Sequence, residues 1–152
     1  MAVKSKQQVG PFELVEIIGL GGMGEVWKAV HRNNGEAVAI KVITSDRASD
    51  PKYRDSFLRE VQAVAGLNHP GVVAIYDFGE VPGPRRSSLP WYAMEIAETS
   101  LAEVALGDWR TLQRVLSEML DALAHAHARQ IIHRDLKPEN VLLTEGYAVK
   151  LT

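Results

Sequence analysis

His133-Arg134-Asp135-Leu136-Lys137-Pro138-Glu139-Asn140 is the stretch whose reading decides how the rest of this chain is understood. It puts a carboxylate, an ammonium and a side-chain amide into one short loop, after a long apolar helical pattern and before a β-type run. A carboxylate can accept a hydroxyl proton, a cation can hold a phosphate, and an amide oxygen can ligate Mg2+. Asp135, Lys137 and Asn140 are therefore the residue types that a phosphoryl-transfer centre needs. The remaining question is whether the chain supplies the other parts.

Composition narrows the field. The sequence has 152 residues, 46% hydrophobic and 24% charged, enough for one ordinary domain with a sizeable core. Its 17 basic and 19 acidic residues leave a net charge of −2, which argues against a nucleic-acid footprint spread over the domain. With 0 Cys there is no disulfide framework and no cysteine zinc site. Residues 1–10 are polar and lack the apolar core of a secretory signal, so a disordered N-terminal tail is expected there. No apolar run approaches the roughly 18–20 residues that span a bilayer, and a cytoplasmic protein is expected.

Working back from the opening loop, Phe12 to Ile18 reads as a strand running into Gly19-Leu20-Gly21-Gly22-Met23-Gly24. The glycines alone would serve a dinucleotide-binding turn equally well, but such a turn opens a helix. Val26 and Trp27 favour a second strand over Glu25 to Val30. Strand, glycines and strand make a hairpin flap whose backbone N–H groups can approach phosphates; a Gly-rich hairpin without a ligand is the plainer alternative. Asn33-Asn34-Gly35 signals a turn, and Ala37 to Ile43 is the next strand, with Lys41 between apolar neighbours. Such a Lys is usually the solvent-facing member of the alternation, but on a buried side it needs a counter-charge. Asp50-Pro51 predicts a helix start, with Phe57, Val61 and Val64 on one stripe and a stop near Gly66. Glu60 beside that stripe is the candidate partner of Lys41.

Val72 to Phe78 and Trp91 to Ile96 read as further strands, joined by a polar loop containing Arg85-Arg86-Ser87-Ser88. That loop could be a basic phosphosite, although a solvated hairpin loop is the simpler reading. Five strands and one inserted helix make an antiparallel α+β unit over 11–95. Residues 96–152 then turn helical, with a short piece over Leu101 to Leu106. A long helix follows Asp108, its wide apolar stripe including Leu112, Val115, Leu116, Met119, Leu120 and Leu123. His125 and His127 point to different faces, and a packed His127 with a solvent-facing His125 is expected. After the opening loop, Val141 to Leu143 and Tyr147 to Thr152 read as a hairpin.

In the order and spacing of these strings the chain resembles a eukaryotic-like bacterial serine/threonine protein kinase. The strings are Gly19 to Val26, Val38 to Lys41, Glu60, His69-Pro70, Met94-Glu95 and His133 to Asn140. The resemblance implies an ATP site, Mg2+ and a protein substrate presenting Ser or Thr. Asp135 would orient or accept the hydroxyl proton, Lys137 would neutralise the transferring phosphoryl group, and Asn140 would hold one Mg2+. Lys41, held by Glu60, would grip the α/β-phosphates under Gly19, Gly21 and Gly24. Adenine would lie against Ile18, Val26 and Ala39 above and Leu142 below, its edge read by backbone groups of Glu95 and Ala97, with Met94 behind. His133 and Arg134 look structural; the family uses that Arg to hold a phosphorylated activation loop.

Two departures matter. Gln130 stands where the family commonly has Gly, which costs about 1 kcal/mol if the turn needs φ > 0. Val149-Lys150-Leu151-Thr152 is the run that leads into the family's Asp-Phe-Gly, whose Asp is its principal Mg2+ ligand. The chain is therefore expected to be a truncated kinase domain, cut before that motif, and negligible activity is expected of these 152 residues alone. The other reading is a non-catalytic nucleotide-binding or partner-binding piece, a partner covering the open face of the long helix.

Overall fold

A computed structural model of the chain describes residues 7–21 and 24–152. Gly22 and Met23 of the glycine string, and residues 1–6 of the expected tail, lie outside the described residues. The chain divides into two units, Met1–Gln62 with Ile75–Ile96, and Ala63–Ala74 with Ala97–Thr152.

The first unit is a six-stranded antiparallel sheet. Its strands are β1 (Gln8–Val9), β2 (Phe12–Gly21), β3 (Gly24–His31), β4 (Ala37–Ile43), β5 (Ile75–Pro82) and β6 (Ser88–Met94), in the order β1-β2-β3-β4-β6-β5. The expected five strands are present, and β1 is added to them. Gln8 and Val9 pair with Glu13 and Phe12, so this part of the expected tail is ordered, with Val9 buried. Alternation explains the core. Val38 and Ile40 of β4, Ala29 of β3, Phe12 of β2, and Trp91 and Ala93 of β6 pack on one face; Phe12 meets Trp91 edge-on at 5.9 Å between ring centroids. A short helix α1 (Ser45–Ala48) and the expected helix α2 (Pro51–Ala65) follow β4. Within this unit α2 buries Phe57 and Val61, with the Phe57 ring 5.3 Å from that of Tyr92 on β6.

Two strand readings shift. The run from Val72 is replaced by β5 at Ile75–Pro82, and the closing strand is Ser88–Met94 in place of Trp91 to Ile96. Val72 and Val73 are buried in the second unit, where Val72 makes an isolated parallel bridge with Leu151. Their β-branched side chains satisfy a packing demand from another part of the chain, which a local pattern does not show.

The second unit has a three-stranded sheet, β7 (Thr99–Ser100), β8 (Val141–Leu143) and β9 (Val149–Leu151), with the long helix α3 (Trp109–His127). Leu101 to Leu106 is a turn and an irregular segment, not the expected helical piece. Asp108 caps α3 as its sequence position predicts: Thr111 donates its backbone N–H at 2.9 Å and its hydroxyl at 2.8 Å to the carboxylate. Val115, Ala122, Val141, Leu143, Val149 and Leu151 form the core. Leu120 on the other side of α3 is 66% exposed.

The helix ends on Gln130 with φ 62, in the left-handed region. The Gln130 N–H donates to the His127 carbonyl at 2.9 Å and the Ile131 N–H to the Ala126 carbonyl at 3.0 Å. These two bonds are the paired closure that usually carries glycine at this position. The histidines of α3 are the reverse of expectation: His127 is exposed and His125 is partly buried against the ring of His69. The stripe of a helix taken alone does not reveal a ring arriving from a distant loop.

Candidate active site

The residues of the 133–140 loop are assembled within the second unit. A one-turn helix over Pro138–Asn140 folds Asn140 back so that its amide nitrogen donates to the Asp135 carbonyl at 2.8 Å and to Asp135 Oδ2 at 3.0 Å. Both acceptors are oxygens, which fixes which end of the amide faces Asp135. The amide oxygen of Asn140 then takes no hydrogen bond from the described residues. Lys137 Nζ lies 3.2 Å from Asp135 Oδ2, with both side chains substantially exposed. The Lys137 contact, working against desolvation and aided by the Asn140 amide and the Coulombic attraction of Lys137 and His133, holds the Asp135 carboxyl below its ordinary value.

The loop is held from behind. His133 Nδ1 accepts the Asp135 backbone N–H at 3.3 Å, which leaves the proton on Nε2 to donate to the Thr152 carbonyl at 2.8 Å. Thr152 in turn donates its N–H to the Asn140 carbonyl at 3.2 Å. Between His133 and Asp135, Arg134 sits at φ 64, a conformation that costs a non-glycine residue about 1–3 kcal/mol. The surrounding bonds hold that strained residue, and with it the direction of Asp135. Sequence reasoning assigned His133 a structural role but missed the Thr152 carbonyl as its partner. A main-chain acceptor leaves no mark in a residue pattern.

The first unit collects most of the proposed nucleotide-binding residues on one face of its sheet. Val26 pairs directly with Lys41, Ala39 with Met94, and Gly19 with Val26, so these side chains lie opposite the Phe12–Trp91 core. Ala39 and Met94 are buried there, and Lys41 Nζ sits 5.9 Å from the centre of the Tyr92 ring. Ile18 is 47% exposed on β2, and Glu95 is half-buried just beyond β6. The expected Lys41–Glu60 ion pair is not formed: Glu60 is exposed on α2, and the described ion pairs do not join it to Lys41. In the second unit, Ala97 is half-buried, and Leu142 on β8 pairs with Ser100 and Lys150.

The three glycines differ in what demands them. A Cβ on Gly24 would fall on the Val42 carbonyl oxygen and 2.9 Å from its carbon, so β3 and β4 could not keep their spacing. Among the described residues, on Gly19 it would meet only Val26 at ordinary contact, 3.5 Å, and on Gly21 only the Gly24 carbonyl oxygen at 3.9 Å. Packing therefore requires glycine at 24 and leaves 19 and 21 open to approach from outside.

Over most of its length the chain is similar to known proteins. The protein kinase domain family matches residues 12–152. "Probable serine/threonine-protein kinase SCO3848" of Streptomyces coelicolor is 40% identical over 147 residues, covering 93% of this chain and 22% of the relative. Serine/threonine-protein kinase PknA of Mycobacterium tuberculosis is 37% identical over 148 residues, 94% of this chain and 34% of the relative. Serine/threonine-protein kinase PknB of Mycolicibacterium smegmatis is 39% identical over 145 residues, 92% of this chain and 23% of the relative. The chain thus spans between 22% and 34% of the length of these relatives. With the family match running from residue 12 to 152, the chain belongs to the protein kinase domain family, with serine/threonine protein kinases as its relatives.

Proposed function

We propose that this chain carries the ATP-binding strands and catalytic loop of a protein serine/threonine kinase, which transfers the γ-phosphate of ATP to Ser or Thr hydroxyls of protein substrates. The observation that carries the reading is the Asp135–Lys137–Asn140 cluster, an ionised carboxylate with an ammonium 3.2 Å away and an amide locked on it at 3.0 Å.

In this reading a substrate hydroxyl donates a hydrogen bond to the Asp135 carboxylate, which aims the oxygen at the phosphorus. A carboxylate held below its usual range is a weak base, so it takes the hydroxyl proton late, as the new O–P bond forms. Lys137 neutralises charge on the transferred group. Lys41 holds the α/β-phosphates, the backbone N–H groups around Gly19 and Gly21 cover them, and Val26, Ala39 and Met94 supply the apolar wall for adenine. Asn140 fits a hard divalent cation because its free end is an oxygen; Mg2+ bound with ATP would supply charge neutralisation on the phosphates. In this reading the reaction runs in the cytoplasm, where ATP is supplied. Among the described residues no helix is long and apolar enough to cross a membrane.

The test is radiolabelled γ-phosphate transfer by the protein that carries this chain, with Asp135→Asn as the comparison. Loss of about 10²- to 10⁴-fold in kcat with retained ATP affinity is expected. A variant that keeps the parental rate would overturn the assignment. The partner-binding reading rests on the 66% exposure of Leu120 and 42% exposure of Leu116 on α3. It would be preferred if ATP bound and Asp135→Asn changed no measurable turnover because the parent has none.

A further inference from the structure

Away from the catalytic loop, a cluster of titratable side chains lies where the segment after α2 meets α3. His69 Nδ1 accepts the Gly71 N–H at 2.9 Å, so the neutral ring carries its proton on Nε2 and donates it to Asp121 Oδ2 at 3.1 Å. The His125 ring stands 4.8 Å from that of His69. A guanidinium has donors only, so His125 Nδ1 accepts from the Arg129 guanidinium at 3.2 Å. The other ring nitrogen of His125 is buried with no partner among the described residues. In both rings Nδ1 is committed as an acceptor. Adding a proton there sets two N–H groups against each other and breaks the bond.

The bond at Gly71 has consequences further along the chain. Gly71 lies against α3 so closely that a Cβ on it would come 2.9 Å from that of Ala122, so its backbone has no room to slide toward the helix. Its carbonyl accepts the Leu151 N–H at 2.8 Å, and the Val73 N–H donates back to the Leu151 carbonyl at 2.9 Å. The next carbonyl, that of Thr152, is the acceptor for His133, and His133 holds the Asp135 N–H. Hydrogen bonds together with the backbone of Gly71 and of Leu151–Thr152 therefore connect His69 to Asp135.

We propose that His69 is a positioning residue for Asp135: its neutral ring fixes the Gly71 turn that anchors β9 behind the catalytic loop, and protonation of the ring releases that anchor. The inference deepens the reading of Asp135 as the catalytic carboxylate and rests on it. The charged and titratable groups facing His69 are Asp121 and His125 of α3, with Arg129 behind His125. Burial first, then Arg129 and His69, push the His125 pKa below the ordinary histidine value.

The test follows backbone amide and histidine-ring resonances of the chain by NMR from about pH 8 to about pH 5, the range in which histidines change charge. The amides of Gly71, Leu151 and Asp135 are expected to shift along the titration curve of the His69 ring. In His69→Asn, whose amide oxygen can accept the N–H two residues on without titrating, the three amides are expected to stop responding. Asp121→Asn removes the carboxylate that favours protonation, so the midpoints of His69 and all three amides should move together to lower pH. Amides that still titrate in His69→Asn, or that follow the His133 ring instead, would overturn the inference. Should His69→Asn fail to fold, Asp121→Asn decides alone, since midpoints that do not move together refute the coupling. The readout needs no phosphate transfer, so failure of the coupling and failure of the proposed reaction are separate results.

Discussion

Replacing Gly24 with Ala should damage the first unit far more than the same change at Gly19 or Gly21. The added methyl at position 24 lands on backbone, the carbonyl of Val42, with its carbon at 2.9 Å and the Ile43 Cα at 3.1 Å. Backbone in a paired strand has no flexible end to swing aside. The β3–β4 pair must open at its Gly24–Ile43 end, two residues from Lys41. Overpacking of this kind costs about 1–3 kcal/mol, and a backbone obstacle belongs at the upper end, about 3 kcal/mol. For a chain of this size that is a fall of roughly 6–12 °C in Tm. At positions 19 and 21 the methyl meets nothing closer than 3.5 Å among the described residues, so stability should stay within about 0.5 kcal/mol. Urea denaturation and thermal melts of the three variants measure this directly, and calorimetric ATP titration supplies the second half. Gly19→Ala and Gly21→Ala are expected to keep the fold and, on the proposed function, lose ATP affinity several-fold, because the methyl would stand where that reading brings phosphate to the backbone. Gly24→Ala as stable as the parent, or Gly21→Ala equally damaged, would refute the division of labour among the glycines.

Gln130→Gly should stabilise the chain by up to about 1 kcal/mol by relieving the left-handed strain at φ 62, while Gln130→Ala should leave stability nearly unchanged. Chemical denaturation of the pair isolates the backbone term from loss of the side chain, and equal stability of the two variants would contradict it. Lys137→Ala should raise the Asp135 pKa toward the ordinary carboxylate value, since the Lys137 contact is the first cause of its depression. With a folded-state pKa below the unfolded one, Asp135 contributes its stability above the unfolded value, and that contribution disappears as pH falls through the folded one. NMR titration of the Asp135 carboxyl in parent and variant reads the direction, and an unmoved midpoint would show that Asn140 and His133 suffice.

Much of the fold was legible because local physical rules and the final structure agree. Alternation gave Ala37–Ile43 its strand, and the Asp50-Pro51 and Asp108 signals gave α2 and α3 their starts. Legibility failed where one part of the chain acts on another. Val72 and Val73 look like strand residues and are used as core in the second unit, which moves β5 three residues along. Gln8 and Val9 look like tail and become a strand because Phe12 and Glu13 offer them an edge. His125 looks exposed on its helix until the ring of His69 reaches it.

The sequence by itself determined the chemical inventory: carboxylate, ammonium and amide at Asp135, Lys137 and Asn140, and the strand on either side of the glycines. Those follow from residue type and spacing, which are local and covalent. Only the tertiary structure decided how that inventory is held. It turned the nitrogen of Asn140 onto Asp135 and left its oxygen as the free end. It put Arg134 at a strained φ and tied His133 to the Thr152 carbonyl, and it left Glu60 without Lys41. Each of these depends on directed hydrogen bonds or close charges, and those require atoms from separate parts of the chain to reach about 3 Å of one another. Residue spacing cannot specify that distance; packing does.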